Sequence, residues 1–507
     1  MSGLPGWSRG YPVTRIYPPS WHGFQAPAHL RAVCALAGAR WDVDPAAPLA
    51  IAEIGCGTGY TASLLAAGNR HASVIGIDYN PAQIAEARRL AAEAGLANLR
   101  FIEADLAECG DAAIDALPEF DVITVHGVWS WVADPVRDGI LRIIRRRLKA
   151  GGIALVSYNA LPGAAAAMGL ARLARGEIRK AGDPLQGVQA ARALTERLIA
   201  ARAPHLLPSS WRRVLTGDAP GASDGYLIHE FQTEHWRPSF FEDVADAMAS
   251  ARCDFVGSAT VDENFPQMSL DPAQRALWDE AGSEAERQLI FDLCVQRAFR
   301  RDVYMRGRRA LDRESAVDGL WVAAVTHAQG EMEFTTQAGV ATLSSAQVAP
   351  IRASLASGPK TIAALRTLPG CDGLTASELL AVLLGSRTAA PLWRDPGADP
   401  EMATASDSAH RFNAVAAREF APHGVGRAQL GLASLALGGA TPASALELAV
   451  AQRLLEDPAT HDDAALIAAR LPPAGAVPAA EIMAGLEAAI ADILRDKAPA
   501  WRALDVI

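Results

Sequence analysis

The spacing of apolar and polar positions divides the chain into three stretches. Between residues 49 and 159, short apolar runs alternate with longer amphipathic ones: LAIAEIGC, SVIGID, LRFIEAD, FDVITVHGV and GGIALVSYN, separated by segments such as PAQIAEARRLAAEAG. Runs of near-continuous apolar character predict strands covered on both faces, as parallel strands are. Strands alternating with helical periods predict βαβ units, hence an α/β, Rossmann-like doubly wound sheet. Ahead of it, residues 11–40 carry Pro12, Pro18, Pro19 and Pro27 and then the helical pattern HLRAVCALAG, which predicts an arm closing over the ligand end of the sheet. Behind it, alanine- and arginine-rich helical sequence reaches about Trp211, followed by the loop GDAPGASDG. A second unit begins near Tyr226. It runs YLIHEF, a helix FFEDVADAMASA, CDFVGSATV and a helix through LIFDLCVQRAFRRDVYM. Beyond Arg313 the pattern is mainly helical, with WRDPGADPEMATASDS and LPPAGAVPAAE as linkers and TIAALRTLPG with TASELLAVLLGS resembling a helix-turn-helix or winged helix. The expected division is residues 1–165, 166–312 and 313–507.

The first strand climbs into Gly55, Gly57 and Gly59 and falls into helix, the form of a ligand-binding first βα turn. A dinucleotide fingerprint requires a third glycine at position 60, where Tyr60 stands, and no lysine followed by Ser or Thr makes a P-loop. Pyrophosphate is disfavoured, and a small ligand approached closely by backbone fits better. Glu53, Asp78 and Asp105 close or follow the first three strands and point into one crevice. A carboxylate after the second strand can accept both hydroxyls of a ribose, and one after the third can meet an adenine amine. The glycine turn then receives an amino-acid tail. The segments after strands four and five lie at the same end, which makes His126, Trp129, Trp131, Tyr158 and Asn159 the acceptor-pocket candidates.

EIGCGTG, GIDYNP and FIEADL together resemble the first three motifs of class I methyltransferases. That resemblance implies S-adenosylmethionine as cofactor, held by Glu53, Gly55, Cys56, Gly57, Gly59, Asp78, Tyr79, Asp105, Leu106 and His126. HGVWSWVADPVRDGIL, SYNALPG, YLIHEF and HWRPSFFEDVADAM are similar to bacterial methyltransferases with a methyltransferase regulatory domain. The rickettsial protein lysine methyltransferases that modify an outer membrane protein belong to that group, and FQAPAHL looks like its N-terminal FxQTxPxxL segment. The resemblance implies a cofactor-binding domain with its arm over residues 1–165, a regulatory domain within 166–312, and a protein lysine as acceptor. A small molecule or tRNA is the alternative acceptor. Ala164, where the group commonly has Trp after SYNxxPG, keeps a cofactor-binding regulatory protein without turnover as a third reading.

Transfer to a lysine requires a neutral amine, which costs about 4.6 kcal/mol at pH 7 from a reference pKa of about 10.4. Trp129 and Trp131 could desolvate the ammonium, Tyr158 or Asn159 could accept its hydrogen bonds, and His126 could act as base. Composition narrows the partners. A net charge of -10 disfavours bulk affinity for nucleic acid or an anionic membrane. Six dispersed cysteines, no charged start leading into an apolar core and no run of 18 apolar residues predict a cytoplasmic protein without a membrane span. His229, Glu230 and His235 lack the spacing of metal ligands, so no metal is expected. The arginines at 300, 301, 306, 308 and 309 could steer an acidic substrate, and a homodimer is left open.

Overall fold

The computed structural model describes the chain apart from residues 1–5, 14–15, 207–209, 217–223, 337–338, 397–406, 423–428, 458–466 and 468–478. Much of the GDAPGASDG loop and of both expected linkers falls outside the described residues. The five apolar runs form strands β1 (Ala50–Ile54), β2 (Ser73–Asp78), β3 (Leu99–Glu103), β4 (Phe120–Val125) and β5 (Leu148–Asn159). They are joined in parallel in the order β3-β2-β1-β4-β5. Two further strands extend the sheet from the regulatory stretch: β6 (Cys253–Ser258) and β7 (Phe299–Arg306). β7 inserts antiparallel between β5 and β6, completing a seven-stranded sheet in the order β3-β2-β1-β4-β5-β7-β6.

β7 corrects the expectation of a helix through LIFDLCVQRAFRRDVYM. The helix Glu284–Cys294 stops before it, and FRRDVYMR continues as strand. Its alternation is hidden because the buried positions Arg300 and Asp302 are charged. Burial is tolerated because they pair: Arg300 Nε donates to Asp302 Oδ2 at 2.9 Å and its Nη1 to Asp292 Oδ2 at 2.8 Å. YLIHEF lies in the helix Asp224–Phe231, and the arm ends in the helix α1 (Pro27–Leu36).

Both sheet faces are covered. One is sealed by Ile140, Ile143 and Ile144 of the helix Asp134–Arg147 together with Val244 and Met248 of Phe241–Ser250. The other carries α1, α2 (Tyr60–Ala67) and α3 (Pro81–Glu93). α2 is itself covered by the end of the chain. The hairpin Leu430–Ser434/Gly439–Ala443 and the helices Asp407–Phe420 and Ala445–Glu456 share its apolar core. Tyr60 therefore has a structural explanation: its hydroxyl donates to Gly431 O at 3.1 Å and accepts from Gly431 N at 3.2 Å, while its ring meets Phe412 and Phe420. Residues 317–389 build a second core together with Ala32, Ala35 and Leu36 of α1 and with Val261 and Phe265. There Ile362–Arg366 and Ala376–Gly385 form the expected helix pair beside a small antiparallel sheet of Trp321–Ala324, Lys360–Thr361 and Ala389–Pro391. Among the described residues no helix is long and apolar enough to cross a membrane.

Because the C-terminal helices cover the helix that follows the glycine turn, their packing supports the turn. Phe412 is fully buried against Tyr60. Phe412→Ala is expected to cost about 3–5 kcal/mol, read as a lowered urea midpoint of the full chain. A loss below about 1 kcal/mol would show that the contact is not supporting the fold.

Candidate active site

The ligand ends of β1 to β4 and the N-terminal arm enclose one cavity of about 1260 Å³, counting its open mouth. Of the residues expected to contact cofactor, Glu53, Gly55, Cys56, Gly57, Asp78, Tyr79, Asp105, Leu106 and His126 line it. Gly59 does not: it caps α2 in a left-handed conformation (φ 71°), where a Cβ would fall 2.4 Å from the Phe101 ring. Gly55 (φ 75°) is equally confined, since a Cβ there would fall 2.2 Å from Val128 Cγ2.

Asp78 ties the turn to the second strand. Its carboxylate accepts from Gly57 N and Asn80 N, both at 2.9 Å, and Asn80 in turn caps α3. Burial raises the Asp78 carboxyl above its usual range, against the pull of these backbone donors. Glu53 is more extreme: burial pushes its carboxyl up to about 8, with Gln25 standing beside it. Glu53 Oε2 is buried with no hydrogen-bond partner among the described residues. An unpaired buried carboxylate oxygen beside a glycine-lined wall fits the ammonium and backbone of an amino-acid tail. The arm crosses the other end. Arg9 binds Asp105 and Glu108, Tyr79 donates to Ser8 O at 3.1 Å, and the arm's backbone is held by His235 (Nε2 to Arg9 O, 2.7 Å) and Glu234 (N to Gly10 O, 2.8 Å).

The acceptor side differs from expectation at three residues. Tyr158 is fully buried and faces away from the cavity, donating to Asp302 Oδ2 at 2.6 Å. Successive strand residues point to opposite faces, so it is the preceding Ser157 that faces His126. Trp129 packs in the core under Arg137, whose Nε donates to its carbonyl at 2.9 Å. Asn159 is buried beside Glu230, a neighbour it shares with Trp131. None of the three lines the cavity; Trp131 and His126 do.

His22, Tyr17 and Tyr11 of the arm join them. The rings of His22 and His126 meet edge-on at 4.0 Å, and Phe24 and Phe299 stand 4.9 and 6.0 Å from His126. Ser157 Oγ accepts from Gly127 N at 3.0 Å and bonds His126 Nδ1 at 2.7 Å, which fixes the ring. Burial, the neighbouring His22 and the Arg301 cation hold His126 well below the usual imidazole range, and burial with Arg301 lowers His22 to about 4. At neutral pH both rings are uncharged hydrogen-bonding groups rather than strong bases. Among the described residues no group of three His, Cys, Asp or Glu could hold a metal.

Sequence reasoning found the arm but not the residues it delivers. The prolines marked a fixed path, yet no local signal showed that His22 would meet His126.

Glu53 gives the ligand-free protein a pH signature. Its folded value near 8 exceeds the ordinary 4.5, so its contribution is complete in acid and is lost as pH rises through about 8. Between about pH 5 and 9 the ligand-free wild type is expected to lose stability relative to Glu53→Gln, measured by denaturant midpoints. Parallel pH curves would contradict a carboxyl whose charge is penalised by burial.

Residues 51–152 match the model of a methyltransferase domain, and residues 223–306 that of a predicted methyltransferase regulatory domain. An uncharacterized protein of Synechocystis sp. is 29% identical over 337 residues, 66% of this chain and 66% of that protein. An uncharacterized protein of Rickettsia prowazekii is 31% identical over 147 residues, 29% of this chain and 56% of that protein. The matches thus span less than two thirds of either relative's own length. PKMT2 from Rickettsia typhi, solved alone and in complex with AdoHcy, shares the fold at 17% identity and a TM-score of 0.65, over 94% of this chain and 99% and 98% of the two solved chains. The chain carries a class I S-adenosylmethionine-dependent methyltransferase domain followed by a methyltransferase regulatory domain.

Proposed function

We propose that the protein transfers a methyl group from S-adenosylmethionine to lysine side chains of a protein. Glu53 and the glycine turn would hold the cofactor's amino-acid tail, Asp78 its ribose and the Asp105–Leu106 segment its adenine. Tyr79 would flank the base. The cofactor supplies an electrophilic methyl group; this chain supplies position and dryness, from which most of the acceleration of an in-line displacement comes.

The observation that carries the lysine reading is the composition of the remaining wall. Tyr17, Pro18, Pro19, His22, His126 and Trp131 line it with aromatic, apolar or uncharged imidazole surface. The sole Arg or Lys among the described lining residues is Arg9, which is engaged by Asp105 and Glu108. A small carboxylic acid acceptor would call for converging cations, whereas a long aliphatic chain ending in nitrogen suits this surface. The likeness to PKMT2 over 94% of the chain, C-terminal region included, supports the same reading.

Two measurements test it. Asp78→Ala is expected to weaken S-adenosylmethionine binding by about tenfold or more in calorimetry, since Asp78 also anchors the turn through Gly57. Incubating a bacterial lysate with the protein and isotopically labelled cofactor should place label on protein lysines. Label confined to small molecules or to tRNA would overturn the acceptor assignment while leaving the cofactor assignment intact.

A further inference from the structure

The register of β5 against β7 sets Ser157 directly opposite Arg301. Ser157 holds His126 from behind, and Arg301 lies under the same group of rings, its guanidinium 4.9 Å from the Phe24 centroid and 5.1 Å from that of Phe299. His22 completes the cluster from the arm, 4.0 Å from His126 and 5.6 Å from Phe24. Three separate parts of the chain, the arm, the segment after β4 and the regulatory stretch, therefore converge on one wall. Arg301 does not itself line the cavity. Its side chain is drawn away by Thr260, to which Nη1 donates at 3.1 Å, and it faces the carboxylates of Asp262 and Glu263. Glu263 is already bound by Arg297 at 3.0 Å and by Ser258 at 2.6 Å. Among the described residues a further titratable neighbour is His29 on α1, bonded to Ala259 O at 2.7 Å.

We propose that His22 and His126 together form the wall that receives the methyl acceptor, and that Arg301 behind them is the positioning residue that makes this wall select a neutral nitrogen nucleophile. The proposal rests on the lysine reading above and specifies the form of lysine bound. A neutral imidazole has one acceptor nitrogen: with His126 Nδ1–H donating to Ser157 Oγ, its Nε2 can accept from an amine, as can one nitrogen of His22, leaving the amine's lone pair for the methyl group. A fixed cation behind them penalises an ammonium in the same place, and so does the loss of water. The proton of the incoming ammonium is released to solvent at the mouth before the nitrogen reaches the wall, so neither histidine has to act as base. The regulatory stretch thereby contributes directly to acceptor choice, through the one residue of β7 that faces Ser157.

The test uses the full chain saturated with S-adenosylhomocysteine and n-butylamine as a lysine side-chain probe. Binding of S-adenosylhomocysteine by each variant shows that the site is assembled. For the wild type, butylamine affinity is expected to rise about tenfold per pH unit between about pH 7 and 9, following the neutral fraction of an amine with a pKa near 10.4. His22→Ala and His126→Ala should each weaken binding about three- to tenfold at high pH. Arg301→Met should flatten the pH dependence, because the charged amine is no longer repelled, and Arg301→Lys should restore it. Wild-type affinity that is independent of pH or falls with it, or no butylamine binding at all, would overturn the proposal, and this wild-type result stands even if a variant fails to fold. A lysate experiment without labelled lysines, alongside intact pH-dependent butylamine binding, would instead remove the protein-lysine reading and leave a wall selective for another neutral amine.

Discussion

The antiparallel ladder between β5 and β7 is the constraint on which the remaining structure depends. Seven consecutive pairs, from Ile153↔Met305 to Asn159↔Phe299, join the regulatory stretch to the methyltransferase sheet. Side chains alternate along a strand, so a slip of one residue would exchange the faces of Arg300 and Arg301. In the observed register Arg300 is sealed in the core with Asp292 and Asp302, while Arg301 lies behind the histidines of the cavity. The charged core cluster thus works as a register lock: an uncompensated Arg300 or Asp302 on the wrong face would be a buried charge without its partner.

With that ladder in place, regulatory and catalytic stretches are not separable pieces. Thr233 donates to Trp131 O at 3.0 Å, Arg237 N to Ser130 O at 2.8 Å, and Ser130 Oγ accepts from Asn159 N at 2.8 Å, so the turn that carries Trp131 is held from both sides. Glu234 and His235 hold the arm across Asp105. The end of the chain supports the same site from beneath, through Tyr60 and Gly431. The residue that excludes a dinucleotide fingerprint is also the one that docks the C-terminal hairpin.

The sequence made the parallel half of the fold legible because strands buried on both faces leave uninterrupted apolar runs, and because glycines and carboxylates at strand ends carry a local pattern. It hid β7, since two of its buried positions are an arginine and an aspartate that satisfy one another. For the same local reasons the residues expected to contact cofactor, Gly59 excepted, are ones that line the cavity. The expected Tyr158 is one residue out of phase, because the strand's alternation turns Ser157 toward His126 instead. His22 left no trace, and Arg301 stood out only as one of a basic group that could steer an acidic substrate, because what qualifies them here is a contact between segments more than 100 residues apart.

The most direct measurement is a crystal structure of the full chain with S-adenosylhomocysteine. The tail's ammonium is expected at Glu53, the ribose at Asp78, and the sulfur facing the wall formed by His22 and His126, with Arg301 behind it. A sulfur directed away from these rings, or a cofactor bound outside the glycine turn, would contradict that assignment.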